Sequence, residues 1–184
     1  MEYIAHKDQL LFDHLQGVAD KCRKNADKIG CGDYGELLGL LHDLGKYSRV
    51  FQDYIKSAVG LLDPDQDEEF INIGDYKGKI DHSTSGAQFL WRNLAKKTAS
   101  ERFLAQILSL CLVSHHSGLI DCLHSDNDGT IDSFTRRIEK DDGKTHINEV
   151  INKAEILDRI NSLISNPAVP IPMEQMLKSV FKFL

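Results

Sequence analysis

The chain has 184 residues, of which 41% are hydrophobic and 27% charged, and its formal net charge is −6. That length suits one domain with a proper core, and the composition excludes a disordered polyelectrolyte. The acidic balance excludes a bulk electrostatic sponge for nucleic acid, though not an enzyme that meets phosphates through metal ions.

The longest apolar stretch, residues 103–113, is interrupted by Gln106 and Ser109. A bilayer span needs about 20 apolar residues, so no membrane contact is expected. No basic region followed by an apolar one opens the chain. Cys22, Cys31, Cys111 and Cys122 form no CxxC pair. The expectation is a cytoplasmic protein with reduced thiols.

Leu10, Leu11, His14, Leu15, Val18, Ala19, Cys22 and Ala26 follow helical spacing and predict a first helix over 8–28, ended by Gly30-Cys31-Gly32. Residues 36–44 predict a second helix, closed by Gly45, and residues 51–59 a third. Pro64, Gly74, Gly78 and the acidic run Asp63, Asp65, Asp67, Glu68 and Glu69 predict a loop over 60–81. Helical spacing returns over 82–97. Ser100 is the predicted cap of an apolar helix over 101–116. Residues 117–146 are polar, 147–164 predict another helix, 166–172 break the chain, and 173–184 begin a last helix. No run alternates with period two. The predicted fold is all-α: a single-domain helical bundle with long connecting loops.

Two familiar patterns fail. Gly39 to Lys46 lacks the glycine spacing, the Ser/Thr and the preceding strand of a phosphate-binding loop. Asp126-Asn127-Asp128-Gly129 would put His124 first and Thr135 twelfth in a calcium loop, where carboxylates are needed. Both read as chance matches.

The eight histidines are the unusual feature. Singly, His14, His82 or the His115-His116 pair reads as a core imidazole or a helix-end charge. Together, His14, His42, Asp43, His82, His115 and His116 fall on the inner faces or ends of four predicted helices. Burying so many imidazoles costs several kcal/mol unless something satisfies them. A divalent metal does so, and a carboxylate such as Asp43 can bridge two ions. Side chains 42 and 43 would diverge by about 100° on one helix and reach different sides of such a centre.

The string His42-Asp43-Leu44-Gly45-Lys46, with His14 upstream, His82-Ser83 and Gly86-Ala87 downstream, and Ser114-His115-His116-Ser117-Gly118 beyond, resembles the HD nuclease domain of the CRISPR type I helicase–nuclease, within the HD phosphohydrolase superfamily. The resemblance spans 14–118. It implies an HD-type bundle and one or two divalent transition metal ions (Mn, Ni, Co, Fe or Zn, with Mg possible). His14, His42 and Asp43 would serve the first ion, and Asp43, His82, His115 and His116 the second. Asp43, Lys46 and Ser83 would be the catalytic positions, Lys46 near the scissile phosphate and Ser83 near it or a water. A surface lysine is the ordinary alternative for Lys46.

The implied substrate is single-stranded DNA, cleaved in antiviral defence. The implied partners are helicase modules and the CRISPR surveillance complex. The resemblance further implies an acidic motif after the last helix. The sequence reaches Leu184 without it, so residues 1–184 are expected to be the nuclease domain without that motif and without the helicase modules, with a weakened first metal position. Asp121, Asp126, Asp128 and Asp132 are possible substitutes that no spacing selects. Lys77, Lys79, Lys96, Lys97, Arg136 and Arg137 are candidates for an approach path, with plain surface positions as the ordinary reading. Two rival functions remain: a phosphohydrolase of nucleotides or cyclic dinucleotides, and a helical interaction module with a structural metal.

Overall fold

Apolar spacing near the start of the chain produces helix α1 (Leu11–Ala26), which buries Leu11, Leu15 and Ala19 on one face. It starts three residues later than 8 because Gln9–Leu10 (β2) pairs antiparallel with Ile4–His6 (β1). This small hairpin was not expected from the sequence; its two strands are too short to show a period. A 3-10 turn over Asp27–Ile29 and left-handed Gly30 close the helix. The computed structural model describes residues 2–95, 98–122 and 131–165.

Helix α2 (Gly32–Leu41) packs against α1 and is buried along most of its length. Glu36 is buried with it, held by Arg23 of α1 and by Arg159, whose Nε and Nη2 reach the two carboxylate oxygens at 2.5 and 2.8 Å. A 3-10 turn over Leu44–Tyr47 leads into α3 (Arg49–Ala58). The acidic stretch is a loop except for the short α4 (Ile73–Tyr76), capped by the Asn72 side chain.

The helix expected over 82–97 is α5 (Thr84–Leu94). Asp81 sets its start by accepting from the Thr84 N–H at 3.1 Å and the Thr84 hydroxyl at 2.8 Å. Helix α6 (Ala99–Ser114) is capped by Thr98, not Ser100. The Thr98 hydroxyl accepts from the Glu101 N–H and donates to the Glu101 carboxylate. Helices α5 and α6 pack together, and a Cβ on Gly86 would lie 2.1 Å from the Leu41 carbonyl oxygen, so α5 also presses on the end of α2.

Two short helices, α7 (Ser133–Ile138) and α8 (Asp142–Thr145), interrupt the polar stretch. The single helix expected over 147–164 is two, α9 (Ile147–Lys153) and α10 (Leu157–Ser165). The break at Ala154, where the backbone turns extended, puts both Ala154 and Ile156 in the core. The last helix expected over 173–184, the Asp126–Gly129 pattern, and Lys96 and Lys97 lie outside the described residues. The fold is all-α apart from the hairpin. Leu37, Leu40, Leu41, Leu90, Leu112, Ile147 and Ile160 lie at the core. Among the described residues no helix is long and apolar enough to cross a membrane, and all four cysteines are unpaired.

Candidate metal centre

The second helix ends three residues before the expected Leu44, and that ending shapes the site. His42 is its last helical-conformation residue, and His42 Nδ1 lies 2.7 Å from the Gly39 carbonyl oxygen. The imidazole thus satisfies one of the free carbonyls of the helix end. Asp43 leaves the helix at φ −117°, ψ 24°. The two side chains are therefore not spread by helical rotation. The bend turns the Asp43 carboxylate inward, where its side chain is 5% exposed.

One oxygen, Asp43 Oδ2, lies 3.3 Å from His14 Nε2, 3.2 Å from His42 Nε2 and 3.0 Å from Lys46 Nζ. The two imidazole nitrogens are 3.2 Å apart. The other oxygen, Oδ1, faces Nε2 of His82 at 3.7 Å, of His115 at 3.5 Å and of His116 at 3.7 Å. His82 Nε2 and His116 Nε2 are 2.8 Å apart. Oδ1 is buried and accepts no hydrogen bond, an uncommon and costly state for a carboxylate oxygen.

The carbonyl partners decide what the rings offer. His42 Nδ1 and His115 Nδ1 sit 2.7 and 2.6 Å from the carbonyls of Gly39 and Leu112. An Nδ1–H donated there leaves each Nε2 with a lone pair aimed at the carboxylate. Lone pairs facing a carboxylate oxygen repel unless a cation lies among them. Donor atoms sharing an ion at a bond of about 2.1 Å stand about 3.0 Å apart along an octahedral edge and about 3.4 Å along a tetrahedral one. The separations among His14, His42 and Asp43 fall between those values. The donor set therefore fits a divalent metal. Two groups bring their ligand atoms within 4.8 Å of one another, His14–His42–Asp43 and Asp43–His82–His116.

The protonation preferences of three rings agree with ligation. Burial pushes the His14, His82 and His116 pKa values down, toward neutral rings. His115 moves up: burial opposes its charge, but Asp43 and the Leu112 carbonyl outweigh it. Burial would raise the Asp43 pKa, yet His115, His42 and Lys46 hold it far below the usual carboxylate range.

Lys46 is buried and spans Asp43 and the Phe51 ring, its Nζ 5.5 Å from the ring centroid. The surface-lysine alternative is thereby excluded. Phe51 also lies against His82, with centroids 4.9 Å apart. Ser83 is buried, and its hydroxyl accepts from Arg137 Nη1 at 3.2 Å. Asp132 caps α7 through Thr135, and neither it nor Asp121 joins the ligand groups found among the described residues.

Sequence reading missed Phe51 and Gln52, and gave Arg137 only as a candidate for an approach path. Buried Gln52 accepts from the Ile4 N–H and donates to the carbonyls of Ile4 and Lys46, tying β1 to the turn that carries Lys46. No local pattern marks Phe51 or Gln52; a buried glutamine on an otherwise amphipathic helix is the nearest to a signal.

A family model described as "Cas3, HD domain" matches residues 9–178. No curated protein and no solved structure matches the chain.

Proposed function

The chain belongs to the Cas3 HD-domain family, the metal-dependent HD nucleases of CRISPR defence, and on that premise we propose that it hydrolyses single-stranded DNA at the centre built around Asp43. The observation that carries the reading is one buried carboxylate with each oxygen faced by imidazoles from separate segments. His14, His42 and Asp43 are assigned to one ion, and Asp43, His82, His115 and His116 to the other. Divalent ions held by these residues would supply positive charge to a phosphate and an activated water.

The protein's own groups do the rest. The carbonyls of Gly39 and Leu112 orient the His42 and His115 rings so that their Nε2 atoms point inward. Lys46 keeps Asp43 ionised and brings a fixed cation beside it, where charge develops on a phosphate. Phe51 shields Lys46 and His82 on one side. A centre recessed among helix ends favours a flexible single strand over a stiff duplex. This reading puts residues 1–184 in the nuclease domain, working in the cytoplasm with helicase modules and the CRISPR surveillance complex as partners.

The test uses the purified chain with Mn²⁺, single-stranded DNA and a panel of nucleotides and cyclic dinucleotides. DNA is expected to be cut, and His42→Ala and Asp43→Ala are expected to abolish cutting while circular dichroism stays helical. Turnover of nucleotides alone would reject the nuclease assignment. So would cutting at the wild-type rate by both variants. Bound metal without any hydrolysis would favour a structural centre.

A further inference from the structure

Beside the metal centre lies a cleft of about 800 Å³ that opens at His82, Ser83 and His116. Its walls carry Lys79, Arg136, Arg137, Lys140 and Lys144, with only Asp81 and Asp141 as carboxylates. Five cations against two carboxylates make a positive surface on a chain whose net charge is −6. Of the basic residues that looked scattered in the sequence, Lys79, Arg136 and Arg137 share this cleft, and Lys140 and Lys144 join them.

The fold holds the cationic wall in place. Phe134 and Ile138, four residues apart on α7, are buried, which leaves Arg136 and Arg137 to the cleft side. From α5, buried Gln88 donates to the carbonyls of Ile138 and Lys140 at 3.0 and 2.7 Å and accepts from the Thr145 hydroxyl at 2.7 Å. Ser85 donates to the Thr145 carbonyl at 2.7 Å. The segment from α7 to α8 is thus pinned to the helix that follows His82.

Lys140 is committed to Asp81, with Nζ 2.6 Å from Oδ2. The other four cations have no carboxylate partner among the described residues. Arg136 donates to Ser133 and Arg137 to Ser83, both at 3.2 Å, which leaves most guanidinium donors unused. Clustered like charges repel, and an anion with several oxygens relieves that repulsion. The planar guanidinium fork suits phosphate in particular.

We propose that this cleft seats the nucleic-acid strand on one side of the scissile bond, with Arg136, Arg137 and Lys144 contacting its backbone phosphates. Arg137 is linked toward the metal groups through its bond to Ser83, next to His82. The inference rests on the nuclease reading for what the strand is, and it names the residues that hold that strand. The recognised chemistry is the phosphodiester backbone, so bases contribute little to affinity.

The experiment measures fluorescence anisotropy of a labelled 12-nucleotide single-stranded DNA with the full chain in EDTA, across a salt series. The wild type is compared with the triple variant Arg136→Gln/Arg137→Gln/Lys144→Gln. A control, Lys21→Gln/Lys24→Gln/Lys28→Gln, removes the same charge from the far end of α1 and the turn after it. The triple variant is expected to bind at least tenfold more weakly. Each lost phosphate contact lowers the slope of log K against log salt by about 0.7, so its slope falls by about 2. The control keeps wild-type affinity and slope.

Wild-type binding by the triple variant, or equal loss in the control, overturns the proposal. Single-stranded RNA is expected to lose affinity in parallel, as a backbone readout requires; a loss confined to duplex DNA overturns it. If the triple variant fails to fold, the three single variants decide, each with a slope change of about 0.7. Binding is read without metal, so a chain that binds here but cuts nothing in Mn²⁺ defeats the nuclease reading and leaves the cleft assignment standing.

Discussion

The backbone N–H of Gly45 donates to the carbonyl oxygen of His82 at 3.1 Å. Two segments that carry candidate metal ligands are thereby joined main chain to main chain. A Cβ on Gly45 would lie 2.4 Å from that oxygen and 2.6 Å from the His82 Cα. Both obstacles are backbone, so neither can rotate away. Gly45→Ala is expected to push His82 from Asp43 and to weaken Mn²⁺ binding by about 10–100-fold, the range seen when support for a ligand is lost. Isothermal titration checks this; wild-type affinity in the alanine variant would show that the contact does not position the ligand.

Metal removal should be visible in stability. An ion present at a hundred times its Kd adds about 2.7 kcal/mol to the folded state. For a domain of this size, each kcal/mol moves the midpoint by about 2–4 °C. EDTA is therefore expected to lower the melting midpoint of the manganese-loaded chain by about 5–10 °C. Asp43→Asn, which loses the carboxylate that the imidazoles face, should show little or no EDTA effect. Scanning calorimetry on both proteins makes the comparison.

Gln52 satisfies three backbone groups at distances of 2.9 Å each. Gln52→Ala strands them in a buried place. The expected cost is roughly 2–3 kcal/mol, read from urea unfolding. Because one of the three is the Lys46 carbonyl, hydrolysis should also fall. A variant as stable as the wild type would mean that water or a shifted backbone replaces the amide.

Glu36 links α1, α2 and α10 through Arg23 and Arg159. Burial alone would raise its pKa, but its hydrogen bonds with Arg159 and Arg23 outweigh that and hold it below the usual value. A depressed folded-state pKa stabilises the protein above the unfolded pKa of about 4.3, and the stabilisation is lost as pH falls through the folded value. The wild type should thus exceed Glu36→Gln in unfolding free energy by about 1–2 kcal/mol near neutral pH, a modest figure because both arginines are half exposed. The gap should close in acid. A gap independent of pH would mean that the ion pairs do not carry it.

Helices α1, α3 and α6 were legible because their apolar residues repeat at helical spacing, a property of neighbours in the chain. The end of α2 was not. It depends on the His42 ring finding the Gly39 carbonyl and on Gly86 pressing against Leu41, and the second of these crosses 45 residues of sequence. The division of α9 from α10 likewise follows from burying Ala154 and Ile156 against distant helices. For the same reason the basic side chains between 79 and 144 looked scattered, although Gln88 and Ser85 gather them on one wall.

Residue chemistry and local periodicity, both readable along the chain, determined a helical protein with imidazoles and a carboxylate poised at helix ends. Packing alone decided that His14 and His42 face one oxygen of Asp43 while His82, His115 and His116 face the other. Such convergence is set by which helices bury their apolar faces together, and that energy couples positions a hundred residues apart with no trace in the spacing between them.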